Sequence, residues 1–549
     1  MNLIRRDLIA FLLLALGISI VYFPALDVPF YLDDMNSLAR NPVLQSGDLN
    51  LIYLNYGLRT LGYFSFLINY QWFDNDPYYY HLFNIVIHLF NAFLVYILAL
   101  LLSIHTSLKE SHIKLFALIT AFLWAIHPLN TQAVTYIVQR LALLSTMMFL
   151  LSFVFYLNAR RTTTFGKRVV FGLLFLISVF IGAYTKQNYF TVVIMLGVYE
   201  LFFCKGKIAD HRWRLLAVMS VLFSLAVPFI SEQLATLDRF TRESLVISRV
   251  DYFATQLVVL FDYILKFFLP VNLQLFSDVS LLNFNNSDVM LAFVGHVIIV
   301  IVAFYTYRKS PLVTLSVALF YITHSVESSF IPITDLAFEH RTYLPNVAIG
   351  LLVALVITQY IQMLEQKSGE QKTAALVKGS VMTMLLVLSG LTWTRNTQWL
   401  EPETFYQREA TLAPTNARAN LAYGVELSKR GNLLEAEKYL SKSVQLDLSH
   451  NRITASGIVA YMSVLYQQKK YQQAAPVVMT ALKHVTEPFQ RSVLLSNLGY
   501  GYIQMGYCDF AIGLLKKAIA FNASNKAAHD NLNHCLKLKA NQQSNTQAR

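Results

Sequence analysis

The sequence predicts an all-α protein in two parts: a polytopic bundle of about eleven transmembrane helices, then a water-soluble α-solenoid. Three observations carry this. First, 55% of the 549 residues are hydrophobic and 14% charged, whereas a soluble domain carries about a quarter charged residues. Second, runs of about 20 apolar residues, the length that crosses a bilayer, recur from Leu8 to Trp393 and then stop. Third, the remaining chain is mixed and polar and repeats itself at an interval of 34 residues. The expected boundary divides 1–395, the membrane part, from 396–549, the repeat part.

The expected spans are 7–26, 80–104, 115–130, 137–158, 169–184, 188–204, 214–230, 289–306, 311–326, 344–362 and 375–394. The basic start and apolar run of the N-terminus are not followed by a small-x-small cleavage site, so this stretch reads as an uncleaved first span. With Arg5 and Arg6 in the cytoplasm, the inside loops hold Lys109, Lys114, Arg160, Arg161, Lys167, Arg168, Lys205, Lys207, Arg212, Arg214, Arg308, Lys309, Lys367, Lys372 and Lys378. The outer loops are longer in total yet hold fewer basic residues, which is the positive-inside pattern. Residues 251–269 decide the parity. Asp251, Thr255, Asp262 and Lys266 fall on one stripe at 100° per residue, and Asp262 and Lys266 are spaced to pair. The segment therefore reads as an amphipathic helix at the outer interface, and a further interfacial helix is expected around Tyr63–Phe73. Eleven spans place the C-terminal part outside the cytoplasm; twelve, with 251–269 crossing, place it inside.

The net charge of +12 is accounted for by these loops. No basic patch with interleaved aromatics suits nucleic acid, and the 39 Phe and 31 Tyr fall mostly in or beside spans. The cysteines are Cys204, Cys508 and Cys535, without a CxxC pair, so zinc and thioredoxin-like readings have no support. Cys508 and Cys535 lie on successive helices. They could pair in an oxidising compartment; two separate structural thiols are the simpler expectation.

The segments 417–450 and 492–525 are each 34 residues long. Both have Gly at the eighth position (Gly424, Gly499), Gly at the fifteenth (Gly431, Gly506) and Ala at the twentieth (Ala436, Ala511). The early Gly lets paired helices approach, the second ends the first helix in a left-handed cap, and the Ala packs the second helix tightly. A degenerate repeat is expected at 455–488, anchored by Tyr471 and Ala474, and a capping helix at 526–540. The 34-residue period resembles the tetratricopeptide repeat, whose stacks present a concave surface to peptides or proteins. Both complete repeats have Leu448 or Ala523 where the family has Pro.

Ionisable residues near a membrane are costly and therefore informative. Asp33 and Asp34 stand just beyond the first span, in PFYLDDMNSLARNP. Adjacent carboxylates there suit a general base or a hard metal ion; equally, Asp34 suits the N-cap of MNSLAR. In the second span, His81, Asn84, His88 and Asn91 share one face. Interhelical hydrogen bonding accounts for His88 and Asn91, whereas His81 lies near the outer end, within reach of a site. Further outer-end features are His127, Lys186 and the run Glu339-His340-Arg341, with Arg140 just inside the fourth span. Arg and Lys at such places bind phosphate; singly, each reads as well as a snorkelling charge or a buried pair, such as Glu339 with Arg341 or Arg140. Together they face one side in the eleven-span arrangement, as one site for an anionic, lipid-borne substrate requires.

These motifs resemble a family. The diacidic pair after the first span is similar to that of the GT-C integral-membrane glycosyltransferases. FYLDD…NP, YYYHLFNIVIH, AIHPLNTQAV, the Lys-Gln at 186–187, EHRTYLP and the terminal repeats resemble, in that order, the transmembrane and tetratricopeptide-repeat protein O-mannosyltransferases and their bacterial relatives. The resemblance implies transfer of a sugar from a polyprenyl-phosphate donor to Ser or Thr hydroxyls of a protein acceptor, on the extracytoplasmic face of a bacterial inner membrane. It also implies that Asp33 or Asp34 carries the acidic role and that Arg341, Lys186 and Arg140 serve the lipid phosphate. His81, His127, Glu339 and His340 complete the set of candidates. The expected partners are the donor, the acceptor held by the repeats, and membrane lipid. A divalent cation stays open as a cofactor. Competing readings are an oligosaccharyltransferase moving a longer glycan, as in pilin glycosylation, and a membrane scaffold presenting repeats. No inverted internal repeat supports a transporter.

Overall fold

The computed structural model of the chain describes residues 2–203, 247–449 and 455–547, all helix and connection without a strand among them. It divides into two compact units. One is Met1–Leu275 with Val279–Glu401, the other Pro402–Arg549 with the short segment Phe276–Asp278.

In the first unit, seven helices among the described residues are long and apolar enough to cross a membrane: Asp7–Asp27, Pro77–His105, Ile137–Arg161, Phe165–Gly182, Ser287–Thr306, Asn346–Gln366 and Gln371–Thr397. The span expected at 115–130 is a bent pair, Glu110–Ala125 and Pro128–Thr135, with 50° between its halves. Those expected at 188–204 and 311–326 correspond to Thr191–Phe202 and Pro311–His324, of 12 and 14 residues. At 1.5 Å per residue these reach about 18 and 21 Å, short of a hydrocarbon core of ~30 Å. The span expected at 214–230, and the basic residues 205–214, lie outside the described residues.

The apolar faces of these helices meet in one core. Leu14, Ile18 and Tyr22 of the first helix join Val95, Tyr96, Trp124, Phe149, Phe153, Leu319, Val347 and Leu351 there. The opposite faces of Phe165–Gly182 and Ser287–Thr306 expose Leu173, Leu176, Phe180, Leu291 and Phe304, as helices bathed in lipid do. Helix Arg249–Phe268 carries the expected Lys266–Asp262 pair at 2.9 Å. It is more deeply packed than an interfacial helix need be: Tyr252, Val259, Leu260, Tyr263 and Phe267 are buried. Thr255, expected on the polar stripe, is buried too and accepts the Leu282 amide. Helix Thr60–Phe73 stands where an interfacial helix is expected.

The second unit contains paired helices Ala417–Lys429 and Leu433–Ser449, Ala455–Gln467 and Tyr471–His484, and Pro488–Gln504 and Cys508–Phe521, preceded by Pro402–Leu412 and closed by Lys526–Gln547. The glycine arithmetic of the sequence reappears as geometry. A Cβ on Gly424 would lie 2.6 Å from Leu440 Cγ, and one on Gly499 2.9 Å from Leu515 Cγ. Gly431 and Gly506 have φ of +81° and +82°. Each ends its helix with its own N–H on the carbonyl three residues back and the next N–H on the carbonyl five back. The middle pair keeps this cap without the glycine: Lys469 has φ +60°, and the Lys469 and Lys470 amides reach the Tyr466 and Leu465 carbonyls. Cys508 and Cys535 form a disulfide, with Cα atoms 5.5 Å apart, so the expectation of two separate thiols is corrected. Their helices are packed neighbours, and packing brings the two Cβ atoms within bonding reach.

Candidate functional site

The segment from Ala125 to Arg140 organises the candidate site. Pro128 and the 50° bend interrupt the helix, freeing carbonyls that bulk water would otherwise have to satisfy. At membrane depth such backbone persists only where protein groups take over its hydrogen bonds. The polar face of helix Pro77–Leu102 supplies them. Asn84 Nδ2 donates to the Val134 and Ile137 carbonyls at 3.1 and 3.3 Å. The His88 ring bridges the Ala125 carbonyl, 2.9 Å away, and the Tyr343 hydroxyl, 2.7 Å away. Asn91 Nδ2 donates to the Leu143 carbonyl at 3.0 Å. Asn130 caps the Trp124 carbonyl, and Thr392 the Ile126 carbonyl. The costly polar face of the second span is thus the scaffold of the broken one.

Asp33 and Asp34 are neighbours in sequence with opposite environments. The Asp34 carboxylate is buried, accepting the Tyr31 amide at 3.1 Å on Oδ2 and the Val138 amide at 2.8 Å on Oδ1. Burial pushes its carboxyl up to about 8, against the pull of these two donors. Its side chain does not cap the following helix Met35–Ala39, so the N-cap expectation is corrected: it ties the loop to the broken span instead. Asp33 is exposed. Its amide donates to the Tyr136 hydroxyl at 3.1 Å, which leaves the carboxylate facing outward on a fixed backbone.

Three other candidates serve the scaffold. Arg140, expected to meet the donor phosphate, is fully buried. Its guanidinium donates to Asn84 Oδ1 at 2.7 Å, to the Ser65 and Tyr80 carbonyls at 3.1 and 2.9 Å, and to Asn69 Oδ1, with the Phe66 ring face 4.5 Å away. These neutral acceptors and the ring close it off, so it pins helices together rather than offering a free fork. His81 bonds the Val28 carbonyl at 2.8 Å. His127 bonds the Phe267 carbonyl at 2.8 Å, accepts the Leu129 amide at 3.2 Å and stacks on Phe267.

Lys186, His340 and Arg341 do come together, around a residue the sequence reading passed over. Lys186 Nζ lies 2.7 Å from Glu327 Oε1, both side chains about nine-tenths buried. Arg341 donates to the backbone carbonyls of Glu327, Leu336 and Asp335 at 3.4, 3.2 and 2.7 Å. Burial alone would raise the Glu327 carboxyl, but Lys186 and Arg341 together hold it below the ordinary carboxylate range. Burial, with Lys186 and Arg341 adding to it, holds the His340 ring well below the usual range, so it stands neutral. Burial disfavours the Arg341 charge, but Tyr252, Tyr263, Glu327 and Asp335 outweigh it and hold its proton more firmly than usual. Glu327 was missed because a lone acid after a short apolar helix carries no motif; only folding sets it against Lys186, 141 residues away in sequence.

Glu339 turns away from Arg341 and Arg140, its expected partners. It accepts the Gln274 amide at 2.6 Å and lies 3.8 Å from Arg395. The broken span links the two clusters. Gln132 Oε1 accepts the His340 amide at 2.7 Å, and four residues on, Tyr136 holds Asp33. Four residues of chain reach at most about 14 Å. Among the described residues, no group of three or more His, Cys, Asp or Glu side chains gathers to hold a metal ion, and the split of Asp33 from Asp34 removes the expected pair of ligands. Cavities of about 610 and 490 Å³, lined by Asn158, Arg161 and Lys167 and by Leu16, Phe122 and Met382 among others, include none of the candidates.

No family model matches the chain. Among curated proteins, it is 23% identical over 479 residues to the protein O-mannosyl-transferase F38B6.6 of Caenorhabditis elegans, covering 80% of this chain and 63% of that one. It is 24% identical over 503 residues to the human protein O-mannosyl-transferase TMTC3, covering 81% and 52%. It is 24% identical over 560 residues to Drosophila melanogaster Tmtc3, covering 87% and 59%. The chain thus spans between about half and just under two thirds of the length of these relatives.

Proposed function

We propose that the protein is a membrane glycosyltransferase that moves a sugar from a polyprenyl-phosphate donor to Ser or Thr hydroxyls of a protein acceptor, on the extracytoplasmic face. The observation that carries this reading is the division of labour between the two clusters. An exposed carboxylate, Asp33, stands on a fixed backbone, and a buried cationic pair, Lys186 and Arg341, is tied to the same broken span. Similarity to protein O-mannosyl-transferases over four-fifths of the chain supports the same chemistry.

The mechanism is an inverting displacement. Asp33 takes the proton of the acceptor hydroxyl as its oxygen forms a bond to the anomeric carbon. The bond from that carbon to the phosphate oxygen breaks, and the electron pair leaves with the phosphate. Lys186 and Arg341 stabilise the charge gathered there. His340, neutral and next to both, is a positioning group. The repeats bind the acceptor chain. The Cys508–Cys535 disulfide favours an oxidising compartment for them, such as a bacterial periplasm.

Asp33→Asn is expected to lower transfer to an envelope protein by a factor of about 100 or more while the protein elutes and melts as wild type. Glycan mass spectrometry of envelope proteins with and without the gene reads the transfer. Full activity in Asp33→Asn overturns the assignment of the base.

A further inference from the structure

The Lys186–Glu327 pair has a cost that its own geometry does not return. Several buried polar atoms around it lack a partner: both ring nitrogens of His324, the Ser328 hydroxyl and Nδ1 of His340. His324, Ser328 and His340 are each more than nine-tenths buried. A buried polar group left unsatisfied is costly, because it has given up water and gained no partner. Glu327 sits in the irregular stretch after helix Pro311–His324, where backbone can rearrange without breaking a helix. Arg341, beside it, spends its hydrogen bonds on backbone carbonyls. The cluster lacks acceptor oxygens in number, and one carboxylate supplies only two.

We infer that Glu327 is an internal stand-in for the donor's phosphate: in the empty protein its carboxylate occupies Lys186, and donor binding exchanges carboxylate for phosphate. The inference rests on the transferase reading above. A phosphodiester adds two ester oxygens to a charged pair like the carboxylate's, and its oxygens can accept from the one N–H of a neutral His324 or His340 ring and from the Ser328 hydroxyl. Charge fits as well. Lys186 and Arg341 bring two positive charges. A phosphodiester donor carries one negative charge, and the monoester product approaches two above its second pKa of about 6. With Glu327 displaced, these two positive charges exceed the donor's charge by one and match the product's; with Glu327 back in place, the product meets one negative charge too many. Glu327 therefore also returns to Lys186 to expel the product.

The test uses the full chain in nanodiscs with undecaprenyl phosphate as probe. Removing the competing carboxylate in Glu327→Gln is expected to tighten binding roughly three- to tenfold, and to lower kcat for transfer because product leaves more slowly. Glu327→Asp, which withdraws the carboxylate by one methylene, shifts both values in the same direction by less, and carries the test if Glu327→Gln does not fold. Lys186→Met/Glu327→Gln removes both partners, so neither charge of that pair is left without the other, and is expected to bind at least tenfold more weakly than Glu327→Gln. If wild type and Lys186→Met/Glu327→Gln hold the probe no better than phosphatidylglycerol, the phosphate-donor reading falls and this inference with it. If wild type binds and the double variant loses binding, but Glu327→Gln and Glu327→Asp bind no tighter than wild type, the stand-in role alone is overturned.

Discussion

Two adjacent aspartates show how little a residue's chemistry is set by its type. Asp33 and Asp34 share a sequence context and differ only in which side of the chain they leave. Asp34 points inward onto two amides and is buried; Asp33 points outward. The sequence left base and cap open as roles, and the structure provides a third, a clamp between the loop and the broken span. Because burial raises the Asp34 carboxyl to about 8, its folded value lies above the unfolded one of about 3.9. The stability tied to its protonated form is therefore complete below about pH 4 and is lost as pH rises through about 8. Asp34→Asn keeps an uncharged side chain at every pH. The melting temperature of wild type is expected to fall from pH 5 to pH 8 and that of Asp34→Asn to change less; parallel curves for the two would contradict the clamp.

Helices and their ends are the next scale, and there the legible and the illegible can be compared directly. The repeat positions of Gly424, Gly431, Gly499 and Gly506 were readable because a close approach and a left-handed cap each demand a residue without Cβ. The middle repeat was blurred because Lys469 adopts the same cap at φ +60°. An L-residue there meets a penalty of about 1–2 kcal/mol, partly offset in a glycine variant by the freer unfolded chain. Lys469→Gly is expected to stabilise the repeat unit by about 0.5–1 kcal/mol, seen as a higher melting temperature by circular dichroism of the full chain. A lower one would show that the lysine side chain contributes more than its backbone costs. The polar face of Pro77–Leu102 was equally readable as a face. Its object, the freed carbonyls of a broken span, was not, since a Pro in an apolar run does not reveal whether the helix ends, kinks or turns back.

For the whole molecule, composition separates a membrane part from a polar one, and the helices follow that division. Their number does not follow as simply. Seven spans and a bent pair stand clear among the described residues, while two of the eleven expected spans are helices too short to cross alone. The compartment of the repeats can be read chemically. With the Cys508–Cys535 disulfide, chains taken from intact cells and alkylated with a membrane-permeant reagent before reduction are expected to yield the linked peptide pair by mass spectrometry. Recovery of both cysteines alkylated would place the repeats in a reducing compartment and contradict the extracytoplasmic reading.

Apolar run length, the 34-residue period and the order of the polar motifs are local properties, so the sequence alone determined helix content and the cap positions. It also determined which residues were worth suspecting: Asp33, Lys186, His340 and Arg341 fall in the two clusters. What each suspect does depends on distance and burial, which are long-range. Only the tertiary structure turned Asp34 and Arg140 inward as clamps and gave His81 and His127 to backbone carbonyls. It also set Glu327 against Lys186. Desolvation and pairing decide whether a charge is a tool or a brace, and neither exists until the chain has closed on itself.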